Sequence, residues 1–166
     1  MANNGELLIS SADGIHQVKV SGRATFECAP PLRDLAKKIE EESFSKIQID
    51  LGACEWMDST FMGVLAMLGL NARKKAAIME ICAANQQNRA LLEGLGLKKL
   101  FSFTDSSIAI DGQWQSGATR DVQQKKGAET VLEAHKTLMS IDEQNVPKFE
   151  KIVDLVEKDV ERLKGK

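Results

Sequence analysis

The chain has 166 residues, 43% of them hydrophobic, and a net charge of −2 at pH 7. That length suits one domain with an accessory segment, and the apolar content is enough to fill a core. Acidic and basic side chains are balanced in the first 110 residues and in the remainder, so neither part carries the basic stripe that nucleic acid requires.

The first elements read as two short strands, Leu7 to Ser10 and Ile15 to Val20, joined by the turn Asp13-Gly14. A helix follows, with Pro30 and Pro31 near its start and Leu32, Leu35 and Ile39 as its buried stripe. Ile47, Ile49 and Leu51 alternate as a buried strand does, and Gly52 is expected to open the loop after it. Phe61, Val64, Leu65 and Leu68 then recur at helical intervals, predicting a helix from Ser59 to Lys75. The turn between strand and helix is Asp58, Ser59, Thr60. Taken alone it is a helix cap, because an Asp or Ser oxygen can accept from the free N–H groups of the first turn. A strand from Ile78 to Ala83 and a helix from Gln86 to Leu95, stopped by Gly94 and Gly96, complete the alternation. Strands separated by single helices predict an α/β fold, a mixed sheet with parallel central strands.

After Trp114 the composition becomes polar, and 113–127 reads as a linker. Beyond it, Val131, Leu132, His135, Leu138 and Met139 share one helical face. Past Pro147, Phe149, Val153, Val156, Val160 and Leu163 form a short heptad seam. So short a seam must pack on something: the first C-terminal helix, the domain, a second copy of the chain in a homodimer, or a partner. The expected division is therefore a domain over 1–112 that folds by itself, a linker, and a C-terminal α-helical extension over 128–166.

Cys28, Cys54 and Cys82 are widely spaced, with no C-x-x-C pair, which argues for buried free thiols and against a disulfide framework or a zinc site. No cofactor or metal is expected. The start, MANNGELLIS, lacks a basic n-region, and no segment approaches the run of about 18 apolar residues that spans a membrane. A cytoplasmic protein without membrane insertion is the expectation. His16 and His135 are distant from each other in sequence, the G-x-S-x-G elbow is missing, and neither phosphate-binding glycine pattern is present. The chain is thus not expected to be an enzyme, and His135 is expected to be a hydrogen-bonded packing residue.

The strand, acidic residue, hydroxyl pair and glycine-containing helix resemble the phosphorylation loop of the STAS family, the sulfate-transporter and anti-sigma-factor-antagonist domains. That loop commonly reads D-S-S-G-L-G-V-L. Here DSTFMGVL matches at Asp58, Ser59, Gly63, Val64 and Leu65, with Thr60 and Met62 as conservative replacements and Phe61 as a departure. Upstream, VSGRATFECAPPLRDL resembles the family's L-x-G-E-L-D-x-x-x-A-P-x-L, and NQQNRALLEGLGLKKLFSF resembles its third helix and last strand. The resemblance implies an anti-sigma factor antagonist, in which the loop serine is phosphorylated by an anti-sigma factor serine kinase and restored by a metal-dependent serine phosphatase. Ser59 aligns with the phosphorylated residue and Thr60 with the second hydroxyl. Arg23, Thr25, Asp58, Phe61 and Met62 align with the partner-binding region. Arg23 and Thr25 stand where the family usually has acidic side chains, which leaves open an alternative: a STAS regulatory subunit of a lipid-transport ATPase, docking through the same loop.

Overall fold

The computed structural model describes residues 5–108, 114–116 and 124–164. Strands β1 (Glu6–Ala12) and β2 (Ile15–Ala24) form the predicted hairpin. Asp13 and Gly14 take positive φ values of 53° and 78°, as a two-residue primed turn demands. Helix α1 (Ala29–Ile39) holds its prolines in the first turn and buries Leu32, Leu35 and Ile39. Then come β3 (Lys46–Met57), α2 (Ser59–Lys74), β4 (Ile78–Cys82), α3 (Gln86–Gly94), a 3-10 turn at Lys98–Leu100, and β5 (Ser102–Thr104). A short β6 (Gln115–Ser116) precedes the long helices α4 (Gln124–Ile141) and α5 (Val146–Lys164).

The sheet order is β5-β4-β3-β2-β1-β6. The pairs from β2 to β5 are parallel, whereas β1 runs antiparallel to both β2 and β6. This is the mixed sheet with a parallel centre that the alternation predicts. Gly52, however, does not open a loop: β3 continues through it to Met57. The longer strand is held because β2 also continues, to Ala24, and keeps pairing with β3 across two register shifts beside Gly22, whose φ is +76°. All three cysteines are buried free thiols, and burial pushes each up to about 11.

The C-terminal part also differs from expectation at its start. Both β6 and the first turn of α4 fall within 113–127, the stretch read as a linker. The rest of that stretch and the boundary at 112 lie outside the described residues.

Helix α2 is apolar around its whole circumference, with Phe61, Met62, Val64, Leu65, Leu68 and Ala72 all buried. A helix of that composition needs cover on every side. The sheet, α1 and the 3-10 turn supply part of it, and α4 supplies the rest. The two helices touch at Gly63, where an added Cβ would stand 2.5 Å from the Ala134 carbonyl oxygen, so no larger residue fits this approach. Around the contact, Arg33 and Lys37 of α1 pair with Glu133, and Lys126 pairs with Asp34 at 2.6 Å. Burial alone would raise the Glu133 pKa, but the hydrogen bonds from Arg33 and Lys37 outweigh it and hold the carboxyl below its ordinary value. At the far end, the buried Asn145 donates to the Leu95 and Leu138 carbonyls at 2.9 Å each. Helix α5 lays Phe149, Val153 and Val160 inward, with Val156 and Leu163 half-buried. Of the surfaces open to it, the hairpin takes its own first helix and the domain.

Ala134, Leu138 and Phe149 thereby join the same core as the sheet. Burying a side chain such as Leu138 or Phe149 contributes about 1.5–3 kcal/mol. Truncation after residue 112 is expected to leave a folded sheet with a clearly lower melting temperature. Thermal melts of the truncated and full chains check this, and loss of a cooperative transition would make the hairpin an indispensable part of the core.

Candidate functional site

Asp58 caps α2 from an extended backbone, φ −90° and ψ 175°, which turns β3 into the helix. Its Oδ1 accepts from the Phe61 N–H at 2.8 Å, and its Oδ2 accepts from the Phe26 N–H at 2.7 Å. Its own N–H donates to the Ala24 carbonyl at 2.9 Å. One carboxylate therefore ties the head of α2 to the turn after β2. Burial raises the Asp58 pKa above the usual carboxylate value, against the pull of the Phe61 and Phe26 N–H groups and the field of His135.

Ser59, the first residue of α2, is half-buried, and its Oγ lies 2.8 Å from His135 Nε2. The other ring nitrogen, Nδ1, lies 2.7 Å from the Val131 carbonyl oxygen. A carbonyl can only accept, so in the neutral ring Nδ1 carries the hydrogen and Nε2 presents its lone pair. The Ser59 hydroxyl then donates to Nε2. Phe149 of α5 closes the far side of the imidazole, with ring centroids 5.0 Å apart. Burial lowers the His135 pKa below its ordinary 6.5, more strongly than the Val131 hydrogen bond and the Asp58 charge raise it. Burial thus favours the neutral ring.

His135 is thus the buried, hydrogen-bonded residue that its place in an apolar stripe predicts, but one of its two partners is Ser59, which the sequence did not indicate. Nothing in the local sequence near Ser59 announces it. The close approach of Gly63 and Ala134 carries the next residue, His135, to the head of α2.

The other candidate residues divide between core and surface. Thr60, Phe61 and Met62 are buried, Phe61 completely, which closes their side chains to a partner in this arrangement. Arg23 is exposed, its guanidinium stacked 4.9 Å over the Trp56 ring, and Thr25 is half-buried in the turn that leads to α1. Phe26, which the sequence reading passed over, is 51% exposed beside Asp58. The available signal was an aromatic residue set between Thr25 and Glu27 in a polar turn. Among the described residues, no group of three His, Cys, Asp or Glu side chains is placed to hold a metal, and no helix is long and apolar enough to cross a membrane.

A protein-family model described as "Mlab, STAS domain" matches residues 8–104, more than half of the chain. The chain belongs to the STAS domain family. Its fold is similar to the crystal structure of an anti-sigma factor antagonist from Mycobacterium paratuberculosis, at 25% identity and a TM-score of 0.53, covering 62% of this chain and 87% of that one. It is also similar in fold to the anti-sigma factor antagonist SpoIIAA in its unphosphorylated form, at 9% identity and a TM-score of 0.52, covering 61% and 89%. A comparison with curated proteins gives no match. The family match ends before α4, so this STAS domain receives His135 from outside its matched region.

His135 and the likewise buried His16 both have pKa values held below 6.5 by burial. The unfolded chain takes up protons at 6.5 while the folded chain does not, so stability is full above that value and is lost as pH falls beneath it. Asp58, with its raised pKa, acts with the opposite sign in the lower carboxylate window, where protonation favours the folded form. Melting temperature should therefore drop below pH 6.5, and the drop should be smaller in His135→Gln; buffered melts across this range measure both.

Proposed function

We propose that this STAS protein is an anti-sigma factor antagonist that works by partner switching. It binds an anti-sigma serine kinase while Ser59 is unphosphorylated, releases it once Ser59 carries phosphate, and is reset by a metal-dependent serine phosphatase. Thr60 is at most a secondary acceptor, since its side chain is buried where that of Ser59 is only partly so. The observation that carries the reading is a half-buried serine at the head of the buried helix α2, next to a carboxylate that also fixes the exposed turn bearing Phe26. Similarity to the Mycobacterium antagonist supports it.

The physical logic of the switch is electrostatic. A phosphate adds about −1.5 to −2 charge, and a helix N-terminus can accept it without unfolding. A partner surface laid over Ser59 and Asp58 cannot accept it as easily. Like charges about 4 Å apart at an effective dielectric of about 20 repel by roughly 4 kcal/mol, close to a thousandfold in affinity. Arg23 and the Phe26 turn that Asp58 holds offer the partner an exposed cation and an exposed phenyl ring.

The alternative, a regulatory subunit of a lipid-transport ATPase, is favoured by one observation: Arg23 presents positive charge where the family pattern has acidic side chains. Affinity capture with the chain as bait separates the two. A histidine-kinase-like serine kinase supports the antagonist and a membrane ATPase subunit supports the alternative.

Phosphopeptide mapping of the chain isolated from its own cells is expected to find phosphate on Ser59, and label that persists in Ser59→Ala would sink the assignment. Ser59→Asp should lose the kinase without losing helix content. Arg23→Glu should weaken partner binding at low ionic strength, with a deficit that shrinks as salt is added. Equal affinity of both versions at low salt would place the turn in solvent.

A further inference from the structure

The Ser59–His135 pair does more than close a hydrogen bond between two helices. We propose that it is a nucleophile–base dyad, in which His135 Nε2 takes the Ser59 proton as Oγ attacks the phosphorus of a phosphoryl donor. The chain would then supply, from its C-terminal hairpin, the base for its own modification.

The geometry has the parts such a dyad needs. Oγ and Nε2 stand 2.8 Å apart, within the reach required for proton transfer. The Val131 carbonyl fixes the tautomer by accepting from Nδ1, the orienting role that a carboxylate plays in a triad. A carbonyl carries no negative charge, so it orients the ring with less stabilisation of the imidazolium. Asp58 is a charged group whose field reaches the ring from the head of α2, and α5 contributes the Phe149 face. Ser59 is half-buried where His135 is fully buried, so the solvent side of the dyad, from which a donor would approach, is the serine side.

The step balances without further reagents. An Oγ–P bond forms as the bond from phosphorus to the leaving group breaks, the leaving group departs with that electron pair, and the hydroxyl proton moves to Nε2. The phosphate is left beside Asp58 and an imidazolium, a charge pair that offsets part of the repulsion from the carboxylate. The donor class is a phosphoryl compound with a good leaving group, such as a nucleoside triphosphate held by a kinase. The inference rests on the reading of Ser59 as a phosphoryl acceptor but not on which kinase serves it.

Diisopropyl fluorophosphate tests the dyad on the full chain without any kinase, since fluoride is its leaving group and activated serines capture it. Peptide mass mapping is expected to find the adduct on Ser59. The rate should fall as pH drops below the His135 pKa and level off above it. His135→Gln can still accept the Ser59 hydrogen bond but cannot take the proton. It should react about a hundredfold more slowly or worse, with a flat pH profile. No adduct on Ser59, an equal rate in His135→Gln, or a flat profile in the unaltered chain would each overturn the dyad. If His135→Gln does not fold, the profile of the unaltered chain decides alone. Phosphoserine found at Ser59 in cells together with an inert probe reaction would overturn only the dyad. A reactive Ser59 that is never phosphorylated in cells would overturn only the partner switch.

Discussion

Helix α2 is apolar on every side, and most of the molecule can be understood as cover for it. The sheet and α1 bury the face that such a helix normally presents to its own domain. The remaining face would be a hydrophobic strip in water, and α4 removes it. Gly63 lets the two backbones meet, and the α1 cations Arg33 and Lys37 fix the rotation of α4 by holding Glu133. The register of that packing is what delivers His135 to Ser59. A displacement of α4 by even one turn would carry the imidazole about 5.4 Å away and leave the serine as an ordinary helix-start residue.

The head of α2 thus combines three effects that act on one hydroxyl. Asp58 caps the helix and holds the Phe26 turn, the helix N-terminus favours negative charge, and His135 holds the hydroxyl hydrogen. Phosphate at this point would meet one attractive influence from the helix end, one repulsive influence from Asp58, and an imidazole whose charge depends on whether it has taken the proton. The response of the site to phosphate therefore depends on the hairpin as well as on the loop. In a STAS domain without α4, the same loop would have only the first two.

Much of the fold was legible in the sequence because its signals are local. The period of two in Ile47, Ile49 and Leu51, the period near 3.6 from Phe61 to Leu68, and the Asp13-Gly14 turn each specify an element without help from distant residues. The loop motif around Asp58 and Ser59 is equally local, as is the heptad spacing that predicted an inward seam on α5. Gly52 misled because glycine is a turn signal on average. Here the pairing of β2 with β3 continues past it, and cross-strand hydrogen bonds outweigh one residue's preference.

By itself, then, the sequence determined the α/β alternation, the capped serine at the start of α2, and the presence of two C-terminal amphipathic helices. Only the tertiary structure decided where those helices dock, that Thr60, Phe61 and Met62 are buried, and that Phe26 stands exposed beside Asp58. Above all it decided that His135, 76 positions along the chain from Ser59, shares a hydrogen bond with it. The reason is physical. Caps and periodicities are set by neighbours in sequence, but a contact across that distance exists only after α2 and α4 have packed, and the glycine that permits the packing carries no side chain to advertise it.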